Sequence, residues 1–374
     1  MKRYETYALV DLTALGRNLQ AIRSQVGPRL VLLPVKANAY GHGLAEVAQA
    51  AERNHWADWF GVATVSEAVA LRQAGLTSPI LKLSVAAPEL LDQALAARTR
   101  LAIVDQAGAA AAQAAARRAG QVAPVHLKVD SGMRRLGVEP AAAADLAAFV
   151  EAQPDLALEG VFTHFAVSDD PAQDDFTAEQ WGRFRTAVDA IQERLGRRVE
   201  LVHAANSGAV LGHPETWGDM VRPGIMSYGY YPDQASPRTI AVEPVLSWIS
   251  LTSFVKTVPA GQTVSYGRTW APTADTRVAT VPVGYGDGYS RRLSGRASVL
   301  VGGVHRPVAG RICMDQMMVD LGPDCDLGPG QPVVLIGRDG DQSISADDLG
   351  QATGTISYEV LCAIAQRVPR VYQS

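Results

Sequence analysis

Lys36 closes an apolar run, VLLPVK (31–36), and Asn38, Tyr40 and His42 follow it closely. An amine at the end of an apolar strand is desolvated, so it can shed its proton and condense with a carbonyl compound. Further chemistry-bearing groups follow other apolar runs. Lys128 and Asp130 precede Arg134 and Arg135, His164 ends a run, Asn206 and Ser207 follow another, and Arg222 and Pro223 lead into Gly224 and Ile225. The set is polar and rich in cations, without the paired carboxylates that glycoside hydrolysis needs. Only five of the 34 basic residues are lysine, namely Lys2, Lys36, Lys82, Lys128 and Lys256. An ammonium can lose its proton where a guanidinium does not, so each retained lysine is a candidate for a specific task.

These groups need elements to position them. Eight runs rich in Val, Ile, Leu and Phe precede residue 230: VLLPVK (31–36), WFGVA (59–63), ILKLS (80–84), LAIVD (101–105), VHLKVD (125–130), LEGVFTHF (158–165), LVHAANS (201–207) and VRPGIMSYG (221–229). Ala-rich stretches of helical length, such as 44–54, 141–152 and 177–195, separate them. Alternating strands and helices in this number predict a (β/α)₈ TIM barrel over residues 1–240 rather than an open doubly wound sheet. In a barrel the working residues stand at the C-terminal ends of the strands, where the groups named above fall. Beyond residue 240, runs rich in Val, Thr and Gly at 245–258, 277–284, 297–303, 305–312, 316–321 and 332–337 predict a mostly-β second domain over 241–374. A helix at 357–366 is expected to close it.

Composition excludes several classes. The 374 residues are 47% hydrophobic and 19% charged, enough for a large core. Lys+Arg 34 against Asp+Glu 38 leaves a net charge of −4, with no basic excess for nucleic acid. No run approaches the roughly 18 apolar residues of a membrane span. Cys313, Cys325 and Cys362 are odd in number and lack C-x-x-C spacing, so neither a disulfide framework nor a zinc knuckle is indicated. Met1 to Thr6, followed by Asp11 and Arg17, shows no signal-peptide h-region, and a cytoplasmic protein is expected. The seven histidines are scattered, so no metal is expected. Gly284-x-Gly286-x-Gly288 lacks the context of a dinucleotide loop and reads as a turn. Cys313 is either a reactive thiol near a site mouth or a buried inert one.

The segment PVKANAYGHG (34–43) resembles the lysine segment of the alanine racemases, fold-type III enzymes that carry pyridoxal 5′-phosphate on this lysine. KVDSGMRRLG (128–137), FTHFA (162–166), HAANSGA (203–209), VRPGIMSYG (221–229), VSYGRTW (264–270), VGYGDGY (283–289), GRICMDQMMVD (310–320) and ISYEVLC (356–362) resemble further family blocks, in family order. The resemblance spans essentially the whole chain. It implies an isomerase, a homodimer with composite active sites that interconverts L- and D-alanine and supplies D-alanine for peptidoglycan.

The resemblance also implies roles. Lys36 binds the cofactor and is one of two acid/base groups at Cα. Tyr266, from the partner subunit, is the other, and a phenol of pKa near 10 needs cationic neighbours for that task. Arg222 faces the pyridine nitrogen, which a guanidinium leaves unprotonated, and His164 lines the cofactor and bonds Arg222. Tyr40, Ser207 and Tyr358 hydroxyls and the Gly224 and Ile225 N–H groups hold the phosphate, with Asn206 among the cofactor-binding residues. Arg135 and the Met314 N–H, the latter from the partner, bind the substrate. Tyr285 and Asp315 line a narrow entrance that favours alanine, with serine a weak competitor. Lys128 matches a lysine carbamylated in several members; an unmodified lysine held by a carboxylate or carbonyl is the alternative. A fold-type III decarboxylase and a broader small-amino-acid (serine) racemase are the competing activities. A cofactor-binding homeostasis protein would lack residues 240–374.

Overall fold

The computed structural model describes residues 5–374, so Lys2 and the start of the segment read for a signal peptide lie outside the described residues. The chain opens with β1 (Thr6–Asp11). Eight strands follow: β2 (Leu30–Pro34), β3 (Trp59–Val62), β4 (Ile80–Lys82), β5 (Thr99–Ile103), β6 (Ala123–Lys128), β7 (Leu156–Phe162), β8 (Leu201–His203) and β9 (Met220–Val221). All their pairings are parallel, in the order β8-β7-β6-β5-β4-β3-β2-β9. Asp219 N–H donates to Val202 O and Arg222 N–H to Ala205 O, both at 2.8 Å, which ties the ends of the sheet into a nearly closed barrel. Each strand corresponds to one of the eight apolar runs. Continuous rather than alternating hydrophobicity is what strands buried on both faces require.

Leu32, Trp59, Leu81, Leu201 and Met220, from five strands, pack into one cluster. The Ala-rich connections are helical because alanine costs least in a helix, and some of them begin at a polar cap. Asp105 accepts from Gly108 N–H at the start of helix Gln106–Ala119, and Gly120 terminates it in the left-handed region. β9 is only two residues long because Pro223 has no N–H to continue the ladder.

Two compact units emerge, one of Ala14–Ala39 with Leu44–Glu243, the other of the residues up to Thr13, Tyr40–Gly43 and Pro244–Ser374. The expected barrel over residues 1–240 therefore needs a correction at its start. β1 belongs to the second unit, pairing antiparallel with β10 (Leu246–Leu251) and parallel with β18 (Arg370–Gln373). Its alternation of buried Ala8 and Val10 with partly exposed Tyr7 and Leu9 is that of a half-buried strand, unlike the barrel strands.

The second unit is mostly β, as the sequence pattern implied. Besides β10 and β18 it contains β11 (Phe254–Val258), β12 (Thr276–Val281), β13 (Ser298–Val301), β14 (Val304–Pro307), β15 (Met317–Gly322), β16 (Pro332–Asp339) and β17 (Gln342–Ile344). One sheet has the order β14-β13-β16-β10-β1-β18 with β17 on β16; the other is β11-β12-β15. The single run expected at 245–258 is two strands, separated at Thr252 and Ser253, and the closing helix spans Ser357–Ala363. No helix among the described residues is long and apolar enough to cross a membrane.

Candidate active site

Lys36 stands two residues beyond β2, at the start of an unusual backbone. Ala37, Asn38, Ala39 and Tyr40 all have φ between 53° and 56°. Four consecutive L-residues in the left-handed region cost about 1–2 kcal/mol each, and strain of this kind persists only where surrounding bonds over-determine it. Here Glu67 accepts from Ala37 N–H at 2.7 Å and Asn38 Oδ1 from Leu44 N–H at 2.8 Å. The Tyr228 hydroxyl donates to Pro34 O at 2.9 Å and fixes the strand end before Lys36.

Arg222, just past β9, is buried. Its Nη2 donates to Thr163 O at 2.7 Å and Ala204 O at 2.8 Å, and lies 3.4 Å from His164 Nδ1. Nη1 donates to His203 Nδ1 at 2.9 Å. Burial pulls this guanidinium down to about 9, still charged at neutral pH. His164 is pushed well below the ordinary imidazole range by enclosure, then by Arg222, Arg135, Lys128 and Lys36. Four cations, from the ends of β2, β6 and β9 and the loop after β6, thus act on one neutral imidazole.

Lys128, at the end of β6, donates to Leu136 O at 2.7 Å and lies 5.5 Å from the Phe162 ring. Burial and then Arg222 lower its pKa to about 8, Asp130 opposing and Arg135 assisting. Ser207 Oγ accepts from Gly224 N–H at 2.9 Å, so this hydroxyl keeps its own hydrogen to donate. Ile225 is fully buried at the start of the turn Ile225–Tyr228. Asn206 caps helix Ser207–Gly212, its Oδ1 accepting from Ala209 N–H and the Ser168 hydroxyl.

The remaining expected residues lie in the second unit. Tyr40 is buried, its ring 6.0 Å from that of Tyr358, and burial followed by Cys362 raises its phenol. Tyr285 N–H donates to Cys313 O and Gly286 N–H to Met314 O, at 3.0 and 2.8 Å. Gly284 is required there, since a Cβ would lie 2.3 Å from Cys313 O. The glycine triplet is therefore a turn, as expected. Arg367 bridges Asp315, at 2.6 Å, and Asp287, at 2.7 Å. Tyr266 opens a short turn beside Ser265, whose hydroxyl bonds Arg311 O at 2.5 Å and lies 3.6 Å from Cys313 Sγ. Cys313 is half-buried. Tyr266 is 68% exposed on the single chain, with Tyr285 and Met314 also exposed.

Models of the alanine racemase N-terminal and C-terminal domains match residues 10–232 and 245–372. The chain is 48% identical to the alanine racemase of Cutibacterium acnes over 98% of its length and 97% of that protein, and 44% identical to that of Chlorobaculum tepidum over 97% and 94%. It superimposes on alanine racemase of Clostridium difficile 630 with a TM-score of 0.95 at 34% identity, covering all of this chain and 97% of that one. The Bacillus anthracis enzyme with bound L-Ala-P gives 0.93 at 34% identity, covering 100% and 96%. The chain belongs to the alanine racemase family. Alanine racemases are pyridoxal-phosphate-dependent isomerases, and no comparison favours a decarboxylase.

The barrel rim fits the cofactor of the alanine racemases on its own chemistry. Lys36, Lys128, Arg135 and Arg222 supply only positive charge, and Ser207 and Arg222 supply donors. Among the described residues the side-chain hydrogen bonds of Arg222 are made by Nη1 and Nη2, which leaves its Nε–H for a ring nitrogen acceptor. Three supports of the site were not anticipated. Glu67 is signalled by the capping box Thr64-x-x-Glu67, and His203 and Tyr228 by their places in the HAANSGA and VRPGIMSYG blocks.

Proposed function

We propose that this chain racemises alanine as a cytoplasmic homodimer, with pyridoxal 5′-phosphate at the barrel rim and a composite site completed by the second unit of the partner subunit. The observation that carries the reading is the convergence of Lys36, Lys128, Arg135 and Arg222 on a neutral His164, a field that attracts an anionic cofactor and a substrate carboxylate together. When bound, the cofactor supplies a conjugated sink for the electron pair left by the departing α-proton. Lys36 would hold it covalently, Arg222 would meet its ring nitrogen without giving up a proton, and Ser207, Tyr40, Tyr358, Gly224 and Ile225 would hold its phosphate, with Asn206 shaping the loop.

Racemisation requires proton removal on one side of Cα and delivery on the other. Lys36 Nζ takes one side and the Tyr266 hydroxyl of the partner subunit the other. The exposure of Tyr266, Tyr285 and Met314 on a single chain supports their use across an interface. Arg135 and the partner's Met314 N–H orient the substrate carboxylate, while Tyr285 and Asp315 restrict the entrance. Production of D-alanine from L-alanine by the loaded enzyme, faster than D-serine from L-serine, tests this reading; carbon dioxide release from lysine or ornithine instead would replace it. Such an activity serves either a supply of D-alanine for peptidoglycan or the catabolism of alanine.

Lys128 carries a separate prediction. At pH 7 a lysine of pKa about 8 is roughly one-tenth neutral, against well under one in a thousand for an ordinary lysine. The neutral Nζ can add to the carbon of dissolved carbon dioxide, losing a proton and becoming an anion beside Arg135. In ¹³C-bicarbonate the protein is expected to show a carbamate carbonyl resonance that Lys128→Arg lacks. Identical spectra for the two proteins would leave Lys128 as the ammonium bound to Leu136 O.

A further inference from the structure

Below the rim, a file of polar side chains runs through the barrel interior. His203 Nε2 lies 2.9 Å from His126 Nδ1, and His126 Nε2 lies 3.2 Å from Glu159 Oε2. Both imidazoles are fully buried. Glu159 also accepts from Arg100 at 3.2 and 3.4 Å. The arrangement is built into the backbone. β6 and β7 shift register between Val125 and His126, so that Leu158 pairs with Val125 and Gly160 with His126, leaving Glu159 as an extra residue. A bulge of this kind re-aims a side chain. At Gly160 a Cβ would lie 2.5 Å from His126 Nδ1, so glycine makes room for the ring. Phe162 stacks on His203 with ring centroids 5.0 Å apart and planes 2° from parallel, fixing its orientation.

The donors and acceptors allow one proton arrangement. A guanidinium only donates, so His203 Nδ1 must accept from Arg222 and its hydrogen must sit on Nε2. That hydrogen points at His126 Nδ1, which must accept, placing the second hydrogen on His126 Nε2. An ionised carboxylate only accepts, so Glu159 imposes the same tautomers from the other end. Burial lowers both imidazoles toward the neutral form this requires. For Glu159, burial works upward, but bonds from His126 and Arg100 prevail and keep it ionised. Among the described residues no carboxylate forms an ion pair with Arg222.

We infer that Glu159 and His126 are positioning residues for Arg222, acting through a one-directional relay Arg222→His203→His126→Glu159 that fixes both histidine tautomers and keeps the guanidinium charged and oriented. Its catalytic consequence rests on the proposed role of Arg222. Without the Glu159 carboxylate, the hydrogen on His126 Nε2 loses its acceptor. The tautomers are then held from the Arg222 end alone, and the buried unaccepted hydrogen drives part of the population to the opposite pair, which turns a hydrogen on His203 Nδ1 toward the Arg222 donor.

The test is ¹⁵N spectroscopy of the full-length, cofactor-loaded enzyme labelled at histidine, beside steady-state kinetics. In the unmodified enzyme both rings are expected neutral with the hydrogen on Nε2. Glu159→Leu moves part of the population of both hydrogens to Nδ1 and lowers kcat about tenfold, the scale of supports behind a reacting group, with KM for alanine little changed. Glu159→Gln, which keeps an acceptor oxygen, restores the tautomers and most of kcat. Arg100→Met, which breaks the ion pair and leaves the relay, changes neither. A hydrogen on Nδ1 of either ring in the unmodified enzyme overturns the inference, even if Glu159→Leu does not fold. So does a folded Glu159→Leu enzyme with unchanged spectra and kcat. If the unmodified enzyme fails to racemise alanine, the functional reading falls while the spectra still judge the relay.

Discussion

Lys36→Ala is expected to abolish racemisation, lowering kcat by more than about 10⁴-fold, because one change removes both the covalent attachment of the cofactor and the acid/base group on one side of Cα. The loss should come without collapse of the fold. The left-handed run beyond Lys36 is held by Glu67 and Asn38 through backbone N–H groups that the substitution leaves in place. Thermal unfolding should therefore remain close to that of the unmodified protein without cofactor, and the absorption of the lysine-bound cofactor should disappear. A Lys36→Ala enzyme that still racemises alanine within tenfold of the normal rate would remove Lys36 from the mechanism.

Tyr266→Phe is expected to be nearly as damaging and more informative. It deletes one hydroxyl from a residue that is 68% exposed on the single chain, so packing changes little and stability should hold. Loss of a positioned acid/base group costs about 10²–10⁴-fold. With Lys36 intact, one enantiomer of alanine should still exchange its α-hydrogen with solvent while inversion is lost. Mixing Lys36→Ala and Tyr266→Phe subunits should recover about one quarter of normal activity, since random pairing makes half the dimers mixed, each with one intact site. Failure to recover activity in a mixture shown to contain mixed dimers would place both bases on one chain.

Much of this was legible in the sequence. Most barrel-strand positions are buried on both faces, so the strands read as apolar runs with few polar interruptions. The polar groups at the strand ends stood out because apolar residues preceded them. β1 was not legible, because a six-residue strand has no local mark of its partner, and β10 and β18 lie more than two hundred residues away along the chain. The left-handed turn at Ala37 to Tyr40 was hidden for the opposite reason, since only Asn38 among those residues has any preference for that region. Lys36 could be proposed from residue type and position and Arg222 from the resemblance of its block, whereas Glu159 read as one charge in an apolar run. Its meaning depends on a bulge, and a bulge shows only in the pairing of two strands.

The two-base racemase account is tested most directly by incubating the loaded enzyme with L-alanine in D₂O and following optical rotation and α-deuteration together. The account predicts that rotation decays to zero, that deuterium appears at Cα of both enantiomers, and that L-serine does the same more slowly. Deuterium entering L-alanine with no loss of rotation would show a single base exchanging protons on one face, and would contradict the role given to Tyr266.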